Sequence, residues 1–387
     1  MKICGIICEF NPLHNGHQYL INEAKKENDF IVCLMSGNFS QRGLPCSMDK
    51  YTRAKLAILA GADIVIELPF VYAVNSADQF AEGAIRILKG LGVNNIIFGS
   101  ESADTKALEN LANFKLNETK EFKSKLNKYL KLGNNYNQAY SSAMSDITDD
   151  NSLKLLASSP NDILASAYIK EIKKQKANIA YKVIKRTDNG YNENTPSNKF
   201  LSANSILTLR DENKEYDKYV PSFTKQELDS YPLFDEQKYN AILKHIIFNT
   251  NHKDLSKLYG YSEGLEYLVK KQNENTLTYN ELLNNLTNKR YRKTRIQKLL
   301  LYTALNLTKK EYKTITKTIP AVNVLAVNKN NKQTLSLLQS PKVRLVITHK
   351  DYSNLKKREK LSIDIDTKAN NLFSICTQNM FKNKLIK

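Results

Sequence analysis

His14 and His17 are two of only five histidines in the chain, yet they fall three residues apart, around Asn15-Gly16. They follow an apolar run, Ile3 to Glu9, and stand where a helix is predicted to begin. At a helix N-terminus the first backbone N–H groups lack partners, and the aligned peptide dipoles favour an anion. Two imidazoles placed there can donate hydrogen bonds to a triphosphate and stabilise charge that develops on phosphoryl oxygens. Gly16, with no Cβ, lets the backbone approach such a ligand closely. The plainer alternative is a pair of capping or surface histidines. A metal is not expected, because two ligands do not complete a tetrahedral set and no Cys or third His stands at helical spacing from them.

The elements that must hold this pair alternate over the first hundred residues. Ile3 to Glu9 reads as a strand, followed by a turn at Asn11-Pro12 and a helix from Gly16 to about Lys26. Phe30 to Met35 is a second buried run, closed by Ser36-Gly37-Asn38, and a helix from about Asp49 to Ala60 leads to a third, Ile64 to Leu68. Another helix, about Ala77 to Leu91, leads to a fourth strand, Asn95 to Phe98, ended by Gly99-Ser100-Glu101. Short apolar strands alternating with longer helices predict an α/β fold, a Rossmann-like nucleotidyltransferase domain with a parallel sheet. Right-handed crossovers then gather the loops after the strands on one edge, where such folds bind ligands.

From about Ala103 to Lys176 the pattern is helical, with Asn161 opening a helix after Pro160, and Ala180 to Lys185 reads as a fifth strand. Charges crowd ahead of Pro221, which places a boundary near residues 212–222 and divides the chain into 1–215 and 216–387. Beyond it, apolar spacing of three and four predicts helices up to about Leu307. Val322 to Val327 and Val343 to Ile347 predict a small α/β part at the end, and no internal repeat is seen.

Composition narrows the partners. Hydrophobic residues at 41% and charged residues at 25% are the balance of a globular protein rather than a disordered one. No stretch approaches the roughly 18 uninterrupted apolar residues of a membrane span, and Met1 to Phe10 lacks the layout of a secretory signal, so a cytoplasmic protein is expected. Cys4, Cys8, Cys33, Cys46 and Cys376 are odd in number and form no C-x-x-C pair, so they read mostly as small apolar residues in buried strands. The net charge is +19, and the excess lies almost wholly after residue 200. A basic half joined to a nearly neutral half suggests that one part does chemistry and the other holds a polyanion, although a solvated lysine-rich surface would look the same.

The densest basic segment is Lys289-Arg-Tyr-Arg-Lys-Thr-Arg-Ile-Gln-Lys298, which carries no acid. It precedes the apolar run Leu299 to Leu301 and so reads as a basic helix anchored on a core. Lys289, Arg290, Arg292, Arg295 and Lys298 are candidates to track an RNA backbone, and Tyr291 to stack on an unpaired base. Lys356-Lys-Arg358 is a second patch. The segment lacks the Trp- and Phe-rich face of an interfacial membrane helix.

The H-x-G-H arrangement resembles the signature of the nucleotidylyltransferase superfamily, which includes class I aminoacyl-tRNA synthetases. A narrower resemblance rests on the stretches Cys8-Glu-Phe-Asn-Pro-Leu-His-Asn-Gly-His17, Met35-Ser-Gly-Asn-Phe-Ser-Gln-Arg-Gly43 and Ala62-Asp-Ile-Val-Ile-Glu-Leu-Pro69. Phe98-Gly-Ser-Glu101, Asn161-Asp-Ile-Leu164, Ile184-Lys-Arg186 and Lys289-Arg-Tyr291 continue it in order over roughly the first 300 residues. Together they look like the tRNA(Met) cytidine acetate ligase family. The resemblance implies activation of acetate by ATP, with Mg2+, to give acetyl-adenylate and pyrophosphate. The acetyl group would then pass to the exocyclic amine of the wobble cytidine in elongator tRNA(Met).

It also implies an ATP site made by Ile7, Cys8, Glu9, Phe10, Asn11, Pro12, Leu13, His14, Asn15, Gly16, His17, Gln18, Tyr19 and Leu20, completed by Gly99, Asn161 and Arg186. His14 and His17 would face the phosphates, Asn161 would read adenine or ribose, and Arg186 suits a phosphate. Glu9 and Glu101 are candidates to lie near the reacting centre or orient magnesium. Arg42 is a candidate for phosphate or tRNA contact, with Lys50 and Arg53 weaker ones.

The chain departs from the family where a Ser-Ala-Thr-x-Ile-Arg segment is usual. Here it reads Ser202-Ala-Asn-Ser-Ile-Leu207, and the family's Tyr-His-Asp appears as Tyr191-Asn192-Glu193. Arg210 is the candidate substitute for the missing Arg. Two alternatives stand beside the ligase reading. One is an adenylyltransferase for a small phosphorylated substrate, which needs no basic half. The other is a tRNA-binding member of the fold that has lost turnover. A class I synthetase is disfavoured, because Lys199-Phe-Leu-Ser-Ala203 matches a K-M-S-K-S loop poorly.

Overall fold

A computed structural model describes residues 1–134, 136–148, 156, 159–186, 200–331, 334 and 342–378. Seven strands form one sheet: β1 (Ile3–Cys8), β2 (Phe30–Ser36), β3 (Ile64–Leu68), β4 (Asn95–Ser100), β5 (Ala180–Lys185), β6 (Val322–Val327) and β7 (Leu345–Val346). Their order is β5-β4-β1-β2-β3-β6-β7, and the first five in the chain run parallel. Every residue of β2 and β3 is buried, as expected of strands covered on both faces. Alternate residues face opposite layers: Val32 and Leu34 join one core, while Ile31, Cys33 and Met35 join the other.

The predicted helices are present with small shifts at their ends. They include Asn15–Lys25, Lys50–Leu59, Ala77–Gly90 and Pro160–Lys174 around the sheet. Asp49 and Ser76 cap two of them, each accepting from backbone N–H groups of the first turn. Beyond residue 220 the chain is helical through Lys309–Thr316. All five cysteines are free and buried. No helix of the described residues is long and apolar enough to cross a membrane.

The C-terminal strands are placed where local sequence gives no hint. They do not make a sheet of their own. β6 pairs antiparallel with β3, setting Val327 opposite Ile64, and β7 extends the sheet beyond it. The long helix Lys357–Thr377 then closes over the same edge. Its Asp366 accepts from the Phe70 N–H at 2.8 Å, and its Asn370 accepts from the Asn38 amide at 3.0 Å. Phe373 meets Phe39 edge-on, with ring centroids 6.0 Å apart.

Candidate functional site

The turn after β1 is built from its own side chains. His14 is the N-cap of the first helix, with extended backbone angles, and its Nδ1 accepts from the Gly16 N–H at 3.1 Å. The His17 Nδ1 accepts in turn from the His14 N–H at 3.3 Å, so two orphan donors are satisfied reciprocally. The rings stack with centroids 3.7 Å apart, and Phe10 meets His17 edge-on at 5.0 Å. Because each Nδ1 accepts, the proton of each neutral ring sits on Nε2. Burial pushes the His17 pKa well below its ordinary value, and the neighbouring His14 and Arg186 add to the shift. At neutral pH, then, His17 is a neutral Nε2–H donor rather than a cation. The capping reading of the pair is seen directly, since each Nδ1 accepts from a backbone N–H at the start of the helix.

The other residues expected at a nucleotide lie together around this turn. Gly99 ends β4, and a Cβ there would come within 2.9 Å of the Arg186 Cγ, so only glycine lets that side chain lie across the strand. Arg186 donates from Nη1 to the Asn161 Oδ1 at 3.3 Å, which joins the ends of β5 and the helix Pro160–Lys174. Phe200 approaches Gly16, and its ring lies 5.9 Å from that of Tyr19. This brings the start of the helix Ala203–Asp211 beside the histidine turn. Within Ile7–Leu20 the side chains divide: Phe10 and Leu13 are fully buried in the core, whereas Tyr19 is exposed.

Several candidates are placed elsewhere. Glu101 accepts from the Asn161 and Asp162 backbone N–H groups at 3.2 and 2.9 Å and from the Asn161 amide at 2.7 Å, which makes it a helix cap rather than a magnesium ligand. Glu9 holds the Gln41 N–H at 2.6 Å, and burial raises its carboxyl above the usual range. Lys50 is buried and ion-paired with Glu67 at 2.7 Å, both side chains being 3% exposed. Arg53 is also buried, and its guanidinium donates to the carbonyls of Glu9, Ser36 and Gly37, tying the ends of β1 and β2 together.

Arg210 forks onto Asp211 at 2.7 and 2.9 Å instead of filling the place of the missing arginine. Leu207 packs on the core, and Ser202 and Ser205 bond to each other at 2.8 Å. Tyr191, Asn192, Glu193 and Lys199 lie outside the described residues.

The basic segment forms the start of the helix Lys293–Ala304. Ile296, Leu299 and Leu300 anchor it, while Lys289, Arg290, Arg292 and Arg295 are exposed. Tyr291 differs from expectation. It is buried, donates to the Glu263 carboxylate at 3.0 Å, and carries the Arg295 guanidinium 4.7 Å from its ring centre. It positions the arginine and is not placed to stack on a base. Arg290, Arg292, Arg295 and Lys298 line one wall of a cleft of about 690 Å³, and Gln41 and Arg42 line it on the side of the histidine turn. Gln41 donates its backbone N–H to Glu9 just after β1, so one hydrogen bond links the lining of the cleft to the strand that carries the H-x-G-H turn. Sequence reading missed the opposite wall, where Asp78, Lys115, Glu118, Tyr136 and Tyr140 converge from three separate helical regions. No local pattern marks them.

A parallel sheet with a stacked histidine pair at the turn after its first strand has the layout of a HIGH nucleotidyl transferase, and the family model of that description matches residues 1–386. Among curated relatives, a tRNA(Met) cytidine acetate ligase of Acetivibrio thermocellus is 33% identical, covering 98% of this chain and 96% of its own. Proteins of that name from Thermosipho africanus and Clostridium novyi are 36% and 39% identical over 92% and 78% of this chain. The crystal structure of Thermotoga maritima TmcAL bound with alpha-thio ATP superposes over the whole of both chains, with a TM-score of 0.87 at 28% identity. The chain belongs to the tRNA(Met) cytidine acetate ligase family.

Proposed function

We propose that this protein activates acetate with ATP and transfers the acetyl group to the exocyclic amine of the wobble cytidine of elongator tRNA(Met). The observation that carries the reading is the paired histidine turn, each Nδ1 accepting from a backbone N–H, together with the Arg186–Asn161 contact and the bond from Gln41 of the basic cleft to Glu9 just after β1. In the first step the acetate oxygen attacks the α-phosphorus in line, the bond to the bridging oxygen breaks, and pyrophosphate leaves. His14 and His17 stabilise the charge that grows on the phosphoryl oxygens, and Arg186 adds a fixed positive charge. In the second step the cytidine amine attacks the acyl carbon and AMP departs with the electron pair. Neither step needs a protein nucleophile, which agrees with a site of histidines, arginine and glycine.

Magnesium belongs to this proposal as the ion that accompanies ATP. Among the described residues no group of three or more His, Cys, Asp or Glu is arranged to hold a metal, and Glu101 is occupied as a cap. These donors do not fit a resident ion, and no step is assigned to one. Residues 1–215 would supply the adenylate chemistry and 216–387 most of the tRNA surface, in the cytoplasm where the tRNA is found. The test is pyrophosphate release from ATP and acetate, followed by acetyl transfer to tRNA. Release that is independent of acetate, or acetate activation without transfer to tRNA(Met), would overturn the reading.

A further inference from the structure

The two walls of the cleft differ in kind. The wall of Arg290, Arg292, Arg295 and Lys298 is wholly cationic, as a phosphate backbone requires. The opposite wall balances Lys115 and Lys170 against Asp78 and Glu118. Lys170 is paired with Asp78, and Lys115 donates to the Ser166 hydroxyl at 3.1 Å. Burial holds Lys115 down to about 8 and raises Glu118, so both groups sit closer to neutrality than free side chains. A surface with donors and acceptors side by side and no net charge does not select phosphate. It matches the edge of a nucleobase, which also presents both.

Two tyrosines complete this wall. Tyr136 is 54% exposed and lines the cleft, with its ring centroid 5.9 Å from that of Tyr140. Tyr140 is 9% exposed and wedged edge-on against Phe122 at 4.9 Å. Its hydroxyl has no hydrogen-bond partner among the described residues, although it lines the cavity. Buried hydroxyls are nearly always paired, and an aromatic face open to solvent in an RNA-binding cleft is a stacking platform.

The position of this wall separates it from the reacting centre. The helix Pro160–Lys174 starts at the ligand-binding edge of the sheet, where Asn161 meets Arg186, and runs back along β4. Lys170 lines the cleft from this helix and stands about 13 Å along it from Asn161. That separation suits a nucleotide beside the one at the adenylate, not the reacting one.

We propose that this wall is a base-reading subsite for an unstacked, amino-bearing nucleobase flanking the target cytidine, stacked on Tyr136 and read by Glu118, Tyr140 and Lys115. The inference rests on the tRNA-acetylating reading above and adds to it a residue-level basis for choosing one RNA loop among many. The Glu118 carboxylate accepts from the exocyclic amine, the Tyr140 hydroxyl takes a second edge atom, and Lys115 donates to a ring acceptor.

The probe is a stem-loop RNA with the anticodon of elongator tRNA(Met), compared with one in which each amino-bearing base flanking the wobble cytidine is uridine. Dissociation constants are measured for the full chain and for Glu118→Gln and Tyr140→Phe, alongside acetate-dependent pyrophosphate release without RNA. The unaltered protein is expected to bind the substituted loop about tenfold more weakly. Each variant should bind the natural loop about as weakly, lose little more on the substituted loop, and release pyrophosphate normally, which also shows that it is folded. Variants that bind both loops like the unaltered protein, or lose affinity equally for both, overturn the subsite and leave the acetylating reading intact. An unaltered protein that binds no loop at all removes both.

Discussion

The histidine turn and the basic helix are held in opposite ways. At the turn His14 and His17 are fixed by accepting from the Gly16 and His14 backbone N–H groups, and Arg53 clamps the carbonyls of Glu9 and Gly37. On the basic helix an apolar face is buried and the guanidinium groups stand in solvent, steadied by little more than Tyr291 and Glu263. Chemistry on a phosphorus needs donors that do not reorganise, so its side chains are locked. A long polyanion needs charge at roughly the right spacing, and loosely held arginines supply it.

Breaking the first region should leave the second working. The double substitution His14→Ala/His17→Ala is expected to lower acetate-dependent pyrophosphate release by about 10³-fold or more, since loss of one such donor costs 10²–10³ in other enzymes. Binding of tRNA, measured by filter retention, should be unchanged. A parallel loss of binding would mean that the two regions are not independent.

Next in size is the support beneath the turn. Replacing Lys50 by Met leaves Glu67 as an unpaired buried charge and should lower stability by about 3–5 kcal/mol. The urea midpoint reads this directly, and activity and RNA binding should fall together as the fold is lost.

Removing charge from the second region should give the reverse of the histidine result. Arg290→Ala, Arg292→Ala and Arg295→Ala combined should reduce the slope of log affinity against log salt by about three, with pyrophosphate release unaffected. The smallest effect is a pH dependence. Burial brings Lys298 from an ordinary 10.5 down to about 8, so it is charged below that pH and neutral above it. Affinity for tRNA should therefore fall by a factor of about two to five between pH 7 and 9, the loss of one partly screened phosphate contact. Lys298→Met should abolish that dependence.

The locked region was the more legible in the sequence. Its strands are short, mostly apolar runs and its histidines lie within one turn, so local patterns locate both; Ile64–Leu68 and Ala180–Lys185 fall where the sequence predicts them. What stayed hidden depends on distant partners. Arg53 and Lys50 look like surface cations until the carbonyls and Glu67 are brought to them, and Tyr291 looks like a stacking ring until Glu263 buries its hydroxyl. The wall of Lys115, Glu118, Tyr136 and Tyr140 is assembled from helices whose own spacing only reports an amphipathic surface.

The pairing of β6 with β3 has a consequence in time. As the chain emerges from the ribosome, the parallel strands are complete once β5 has appeared, but the outer edge of β3 stays bare until Val322–Val327 is made. An apolar strand edge left open through so much of synthesis can pair with another copy on the same messenger. Nascent chains stalled before residue 322 should accordingly depend on a chaperone, and released full-length chains should not.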